Sequence, residues 1–299
     1  MKPSKQVWGH LAAFFTIFVW GITFISTKVL LVPFTPLEIM FFRFILAVVA
    51  LVIVSPPRPA LGKITRSTLL AEWKPILAGL CGVTLYFLFQ NIALTLTLAA
   101  NVSVLTSIAP LFTALVCRAV LGEKLKGNFF IGFAVAIAGI ILISFNGSVI
   151  LKLNPLGDLL SILAALVWAF YSLVIKKINA PQNGVFALTR KVFFYGLLFT
   201  LPVLPFFEFR LGLERLAVLP NTLNLLFLGV MASALCFVTW NFAVHVLGPV
   251  KTSVYIYLIP LITIVASALL LHETITLVSA VGMALILTGM VLSEREKAG

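Results

Sequence analysis

Long apolar stretches dominate this chain, and short polar interruptions divide them into segments of about one bilayer thickness. A helix needs about 20 mostly apolar residues to cross the hydrocarbon core of a bilayer. The apolar windows fall at 9–31, 36–54, 75–96, 98–121, 128–145, 156–178, 186–206, 221–244, 250–271 and 275–293. The pattern therefore predicts an all-α membrane protein with ten transmembrane helices joined by short loops.

The second half of the sequence repeats polar landmarks of the first half. A shift of about 150 residues pairs residue types that are rare in apolar helices: Trp20 with Trp168, Arg43 with Arg190, Asn91 with Asn241, Ser103 with Ser253, Pro110 with Pro260, and Glu123 with Glu273. Two copies, 9–145 and 156–293, then hold five predicted helices each. Because five is odd, the second copy enters from the opposite face, which predicts an inverted repeat about a two-fold axis in the membrane plane.

Lysine and arginine are distributed unevenly between the two sides of the predicted bundle. Thirteen lie in loops on the side of the N-terminus and about four on the other side. Cytoplasmic loops carry the excess of positive charge, so both termini are predicted to be cytoplasmic. In a bacterium this places the chain in the inner membrane.

Composition excludes several classes of protein. Of the 299 residues, 62% are hydrophobic and 10% charged, whereas soluble domains are about 25% charged. The net charge of +12 is not gathered into a basic stripe, so we expect no nucleic-acid partner. Cys81, Cys117 and Cys236 lack metal-site spacing, and no nucleophile or phosphate-loop motif is present, so we expect no enzyme activity, cofactor or metal.

Several motifs resemble the EamA-like transporters of the drug/metabolite transporter superfamily. They are the stretch Trp20 to Phe24 with Lys28, Arg43, the segment Ala93 to Pro110, the stretch Gly122 to Leu125, and the pair Gly132 and Gly139. The resemblance implies a basket of ten helices, with a central cavity lined by spans one, three, four, six, eight and nine. It also implies export or uptake of amino acids or other metabolites.

Polar and aromatic residues mark candidate substrate contacts on these spans. Trp20 and Thr23 share one face of span one, and Trp20 lies at mid-depth, away from the interfacial position that tryptophan usually takes. Packing inside the bundle is the alternative for each side chain. The candidate substrate-binding residues are Trp20, Thr23, Tyr86, Gln90, Ser103, Ser107, Trp168, Tyr171, Trp240 and Tyr257.

A second set of residues could bend helices or gate the pathway. Pro110 and Pro260 remove backbone donors within predicted helices, either in the pathway or as structural kinks. Arg43 and Arg190 lie inside predicted spans, where they either serve function or extend to the interface. The remaining candidates are Glu123 and Glu273, which either cap the following helices or form gating ion pairs.

These features favour a carrier that moves small metabolites by alternating access, with export favoured over uptake. Its partners are a small-molecule substrate and membrane lipid, and it is expected as a monomer or homodimer. A lipid flippase would use a related fold, and a passive channel would conduct without saturation. The sequence leaves both alternatives open.

Overall fold

The chain is almost entirely helical in the computed structural model. The described residues are 4–57, 66–96, 102, 105–125, 127–145, 154–178, 184–206, 209–271 and 276–294. Within these ranges every regular element is a helix, and the helices follow the predicted apolar windows. The prediction of an all-α membrane protein is confirmed.

The described part of the first half contains six α-helices, two of which are joined by a π-helical segment. They are α1 (Lys5–Leu30), α2 (Pro36–Val54), α3 (Arg66–Gly79), α4 (Tyr86–Leu96), α5 (Ala109–Leu121) and α6 (Gly127–Phe145). A π-helical segment, Leu80–Leu85, joins α3 to α4.

Seven α-helices, with several short connecting turns, make up the described part of the second half. They are α7 (Pro155–Lys177), α8 (Gly184–Thr200), α9 (Leu219–Leu226), α10 (Cys236–Leu247), α11 (Pro249–Val254), α12 (Leu258–Leu271) and α13 (Leu277–Glu294). A π-helical segment, Phe227–Leu235, joins α9 to α10, and 3₁₀ turns occupy Leu201–Phe206, Leu213–Ala217 and Tyr255–Tyr257.

The lengths and outer faces of the helices suit a bilayer. Six described segments are long and apolar enough to cross a membrane, and three more apolar helices are shorter. Large apolar side chains such as Phe14, Phe18 and Phe194 are about half exposed on the outer faces. A soluble protein rarely exposes so much apolar surface, so these faces are in contact with lipid. The count of ten crossings stays a prediction.

The third predicted span of each copy contains a π-helical segment, and the two segments lie at matching positions. Under the shift of 150 residues, Leu80–Leu85 corresponds to the last six residues of Phe227–Leu235. The sequence pattern did not predict these segments, because a π turn preserves the apolar character of a helix. Such segments are rare and often occur next to functional sites.

Helices α6 and α13 pack against each other through glycine. A Cβ atom added to Gly139 would lie 2.5 Å from the Gly282 carbonyl oxygen, and one added to Gly132 would lie 2.5 Å from that of Gly289. Residue numbers rise along α6 as they fall along α13, so the two helices are antiparallel. Only glycine allows the backbones this close, as in other small-residue helix contacts in membranes.

Gly139→Val should therefore separate α6 from α13 and lower the free energy of unfolding by about 3 kcal/mol, as overpacking does in a tight interior. Gly127→Val is the matched control, because a Cβ atom at Gly127 in the same helix meets no atom within 4 Å. Thermal unfolding of both variants in detergent checks the prediction. Equal melting temperatures would contradict the packing described here.

A buried ion pair joins the two halves at the end of the bundle that bears the α1–α2 turn. The Glu38 carboxylate, 1% exposed, accepts hydrogen bonds from Arg215 Nη1 at 2.9 Å and from the Arg210 N–H at 2.8 Å. It also accepts from the Thr35 N–H, which completes a capping box at the start of α2. The hydrogen bond to Glu38 raises the pKa of Arg215 above its usual value.

Glu38→Gln should lower the free energy of unfolding by about 2 kcal/mol, because the buried site loses charge-assisted hydrogen bonds. Glu72→Gln is the control, since Glu72 pairs with the more exposed Lys191 and exposed pairs contribute less than about 1 kcal/mol. Urea unfolding in mild detergent measures both. A larger effect at Glu72 than at Glu38 would contradict the assignment.

Candidate functional site

A cavity of about 330 Å³ lies between the two halves of the protein. It extends from Trp20 and Trp168, near the middle of α1 and α7, to Leu31 and Pro36 at the α1–α2 turn. Most of the lining comes from α1, α2, α4 and the start of α5. Its volume is within the range of sites for small metabolites.

Tryptophan rings form the deep end of the cavity. The Trp20 ring lies 5.4 Å from that of Trp168 and 5.3 Å from that of Trp240, and the Tyr86 ring lies 4.9 Å from Trp168. Trp20 Nε1 donates to the Ala232 carbonyl at 2.9 Å, which fixes its ring to the second copy. Trp168 Nε1 is buried and has no hydrogen-bond partner among the described residues. The cluster offers flat apolar surface at mid-membrane depth.

Polar side chains line the wall between the tryptophans and the α1–α2 turn. Asn91 Nδ2 donates to the Pro36 carbonyl at 3.2 Å, and Thr23 Oγ1 donates to the Trp20 carbonyl at 2.6 Å. Gln90 also lines the cavity with its side-chain amide. Gln90 therefore presents donors and an acceptor to a bound solute.

Arg43 brings a positive charge to this wall. Its side chain is 9% exposed, and its Nε donates to Ser233 Oγ of the second copy at 2.9 Å. Its guanidinium carbon lies 4.6 Å from the centre of the Phe87 ring, a cation–π arrangement. Both Arg43 and Phe87 line the cavity. Among the described residues that line it, none is Asp or Glu.

Three aromatic residues that the sequence marked as substrate contacts lie outside the cavity. Tyr171, Trp240 and Tyr257 are all fully buried. The Tyr171 hydroxyl donates to Asn241 Oδ1 at 2.6 Å, and Asn241 Nδ2 donates to Thr189 Oγ1 at 3.0 Å. These contacts fill the second copy on the side of the N-terminus. None of the three is among the residues that line the cavity.

Further contacts close the bundle toward the N-terminus. His10 Nδ1 and the Tyr255 hydroxyl are hydrogen-bonded at 2.7 Å, which joins the start of α1 to the turn before α12. Lys176 Nζ donates to the His245 carbonyl at 3.4 Å, which joins α7 to α10. These contacts join helices on the side of the N-terminus, called the closed side below, whereas the cavity lining reaches the α1–α2 turn, called the open side below, at Leu31 and Pro36.

The two candidate prolines lie at the beginnings of helices rather than in the middle. Pro110 is in the first turn of α5, after a break in the helix at 107–108. Pro260 is in the first turn of α12, after the 3₁₀ turn Tyr255–Tyr257. A proline in a first turn removes a backbone donor that would have no intrahelical partner in any case. Ser107, which lines the cavity, occupies the break itself.

The remaining candidates are divided between the closed side and the loops. Arg190 lies in α8, and its Nη1 is buried with no hydrogen-bond partner among the described residues. Glu123 lies in the turn after Gly122, whose positive φ of 70° ends α5. Ser103 and Glu273 lie outside the described residues. The described residues also contain no cluster of three or more His, Cys, Asp or Glu side chains that could hold a metal.

Apolar lining residues were missed by the sequence analysis. Met40, Phe87 and Phe237 contact the cavity beside the predicted polar residues. In a chain that is 62% hydrophobic, an apolar residue that faces a cavity has no pattern to distinguish it from one that faces lipid. Asn91 lines the cavity and also bonds across helices to the Pro36 carbonyl.

Comparison with known proteins identifies relatives across the full length of the chain. The model of the EamA-like transporter family matches residues 7–145 and again residues 155–294. A protein of Archaeoglobus fulgidus named "uncharacterized transporter" is 30% identical, over 96% of this chain and 98% of its own. Two repeats of one sequence family therefore fill the chain.

Other relatives have more specific names. A protein of Streptantibioticus cattleyicolor named "probable terminal-alkyne amino-acid exporter" is 28% identical, over 100% of this chain and 96% of its own. A protein of Escherichia coli named "probable amino-acid metabolite efflux pump" is 26% identical, over 94% of this chain and 93% of its own.

One solved crystal structure superposes on this chain with a TM-score of 0.77. The alignment covers 96% of both chains at 18% sequence identity. At that identity the likeness shows the fold alone.

Proposed function

Because this chain belongs to the EamA-like transporter family it is a membrane transporter, and we propose that it carries small metabolites by alternating access through the cavity. The proposed substrates are amino acids, related metabolites or drugs, and the proposed direction is export. The names of two relatives, an amino-acid exporter and an amino-acid metabolite efflux pump, support both. The observation that carries the proposal is a polar and aromatic cavity between the two halves, with a lining that runs from Trp20 and Trp168 to the α1–α2 turn.

We propose that the two five-helix copies, 9–145 and 156–293, are inverted with respect to each other. Helices α6 and α13 correspond under the shift of 150 residues, and they lie antiparallel. Gly132 meets Gly289 in the same way as Gly282 meets Gly139. A two-fold axis between the helices produces this reciprocal pattern.

Corresponding positions of the two copies carry side chains of different size around the cavity. Thr23, Gln90 and Ser107 line the open side. Their counterparts in the second copy are Tyr171, Trp240 and Tyr257, which are fully buried on the closed side. The open and closed sides are therefore corresponding regions of the two copies.

In the alternate state the second copy would open toward the N-terminus and these aromatic side chains would line its cavity. Trp240 Nε1 and the Tyr257 hydroxyl support this exchange, since both are buried without a hydrogen-bond partner among the described residues. A buried polar group without a partner is unfavourable by about 1–3 kcal/mol. Opening to water or substrate would supply hydrogen-bond partners to both groups. Their lack of partners therefore lowers the stability of the closed side relative to the opened one.

The distribution of lysine and arginine in the loops indicates which side of the membrane the cavity faces in each state. With both termini in the cytoplasm, as the loop lysines and arginines favour, the cavity would open to the outside in this structure. An exporter would release its substrate from this state. Trp20 and Trp168 would stack on the solute, and Gln90, Thr23 and Ser107 would orient its polar groups.

Trp20→Ala and Trp168→Ala should each lower the transport efficiency about tenfold, because an aromatic contact contributes about 0.5–1.5 kcal/mol beyond its buried area. The measurement is saturable efflux or uptake by purified protein in liposomes, across a panel of amino acids and related metabolites with and without a proton gradient. Trp8→Ala is the matched control, because Trp8 is 54% exposed on the outer face of α1 and should leave transport unchanged.

The same experiment distinguishes the alternatives. Saturable transport that survives both cavity substitutions would contradict the site. Flux that never saturates would identify a channel, and movement of labelled lipid without any solute would identify a flippase.

A further inference from the structure

The charge inside the cavity is unbalanced. Arg43 is the one cationic side chain among the described residues that line the cavity, and none of those residues is acidic. A charge inside the membrane region is costly unless a partner compensates it. Arg43 has the Phe87 ring of the lining and the Ser233 hydroxyl as partners, but the described lining supplies no carboxylate.

The nearest acidic residue in sequence is already used elsewhere. Glu38 lies on α2 five residues before Arg43, and its carboxylate is bonded to Arg215 and to the Arg210 and Thr35 N–H groups. Its neighbours Ile39 and Met40 line the cavity whereas Glu38 does not. The segment 97–104, which connects two of the lining helices, contains no acidic residue in its sequence. A counter-charge for Arg43 is therefore expected from a ligand.

The position of Arg43 suits the recognition of a ligand. Its Nε is fixed by Ser233, and Phe87 lies against its guanidinium, so the side chain is held in one orientation. A guanidinium presents its donors in a planar fork that matches the two oxygens of a carboxylate. One cation balances the single charge of a carboxylate better than the nearly double charge of a phosphate monoester.

We infer that the cavity binds a solute bearing a carboxylate, which pairs with Arg43 while the apolar part of the solute packs on Trp20 and Trp168. The inference rests on the proposed function, and it narrows the substrate class to amino acids and organic acids. Amine-only drugs are excluded by it, because Arg43 repels a cation at the same wall. The aromatic cluster alone would have favoured such cations.

Binding of three compounds with one carbon skeleton tests the inference: 3-phenylpropanoate, 3-phenylpropanamide and 3-phenylpropylamine. The readout is quenching of tryptophan fluorescence in purified protein in nanodiscs, with the exposed Trp8 and Trp73 replaced by Phe. The carboxylate should bind about 10- to 100-fold more tightly than the amide, as a charge-assisted hydrogen bond gives. The amine should bind more weakly than either.

Substitutions at Arg43 separate a binding role from a structural one. Arg43→Gln should remove the preference for acid over amide while amide binding persists, and Arg43→Lys should retain a weaker preference. A purely structural role would weaken both compounds equally. Arg118→Gln is the matched control at an exposed arginine of α5 and should keep the full preference. If Arg43→Gln fails to fold, the comparison between Arg43→Lys and the parent protein is still decisive.

Equal binding of acid and amine by the parent protein would overturn the inference, as would an acid-to-amide ratio that Arg43→Gln leaves unchanged. Failure of every carboxylate tested, including L-phenylalanine and L-leucine, to bind at millimolar concentration would also overturn it. The proposed function fails separately. Carboxylate binding without transport would contradict the proposed function but not the inference. Transport with a preference for amines would contradict the inference but not the proposed function.

Discussion

A polar group inside a bilayer must find its partner within the protein, and this constraint shapes the whole molecule. Every regular element of the described chain is a helix, the form that satisfies backbone hydrogen bonds within one segment. Polar side chains then have only the spaces between helices to occupy. The tryptophans, Gln90 and Arg43 gather in one such space, while phenylalanine and leucine cover the outer faces.

The same constraint explains why the two copies are alike in their framework but not in their site. The glycines at the α6–α13 contact recur because close backbone packing needs them at both crossings. The positions around the cavity differ, with Thr23, Gln90 and Ser107 on the open side and larger aromatic residues at the counterparts. A solute has no two-fold symmetry, so a site formed between the copies gains selectivity from such differences.

Much of the fold could be predicted from the sequence because the bilayer imposes a simple length rule. The apolar windows located most helices to within a few residues, and α2 has the predicted bounds, but α3 begins at Arg66, nine residues before its predicted window. The π-helical segments could not be predicted, since they involve hydrogen-bond register and not side-chain character. The Glu38–Arg215 pair was also missed, because its partners are separated by 177 residues and neither has a local pattern that points to the other.

The candidate site residues predicted from the sequence do not all lie at one place in the structure. Trp20, Thr23, Tyr86, Gln90, Ser107 and Trp168 lie at the cavity with Arg43. Tyr171, Trp240 and Tyr257 are packed away. In the proposed mechanism the sequence contains the contacts of two states, whereas one structure shows one of them. Residue patterns do not show which of these contacts one structure will contain.

The most direct test of alternating access is the reactivity of paired cysteines toward a membrane-impermeant thiol reagent, in a background without Cys81, Cys117 and Cys236. Thr27 lines the cavity, and its counterpart Ile175 is fully buried. The paired variants are therefore Thr27→Cys and Ile175→Cys. During transport, conditions that lower the labelling rate of the cysteine at position 27 should raise the labelling rate of the cysteine at position 175, with the reagent added on the opposite face of the membrane. If position 175 stays unreactive while solute continues to move, the proposed mechanism is wrong.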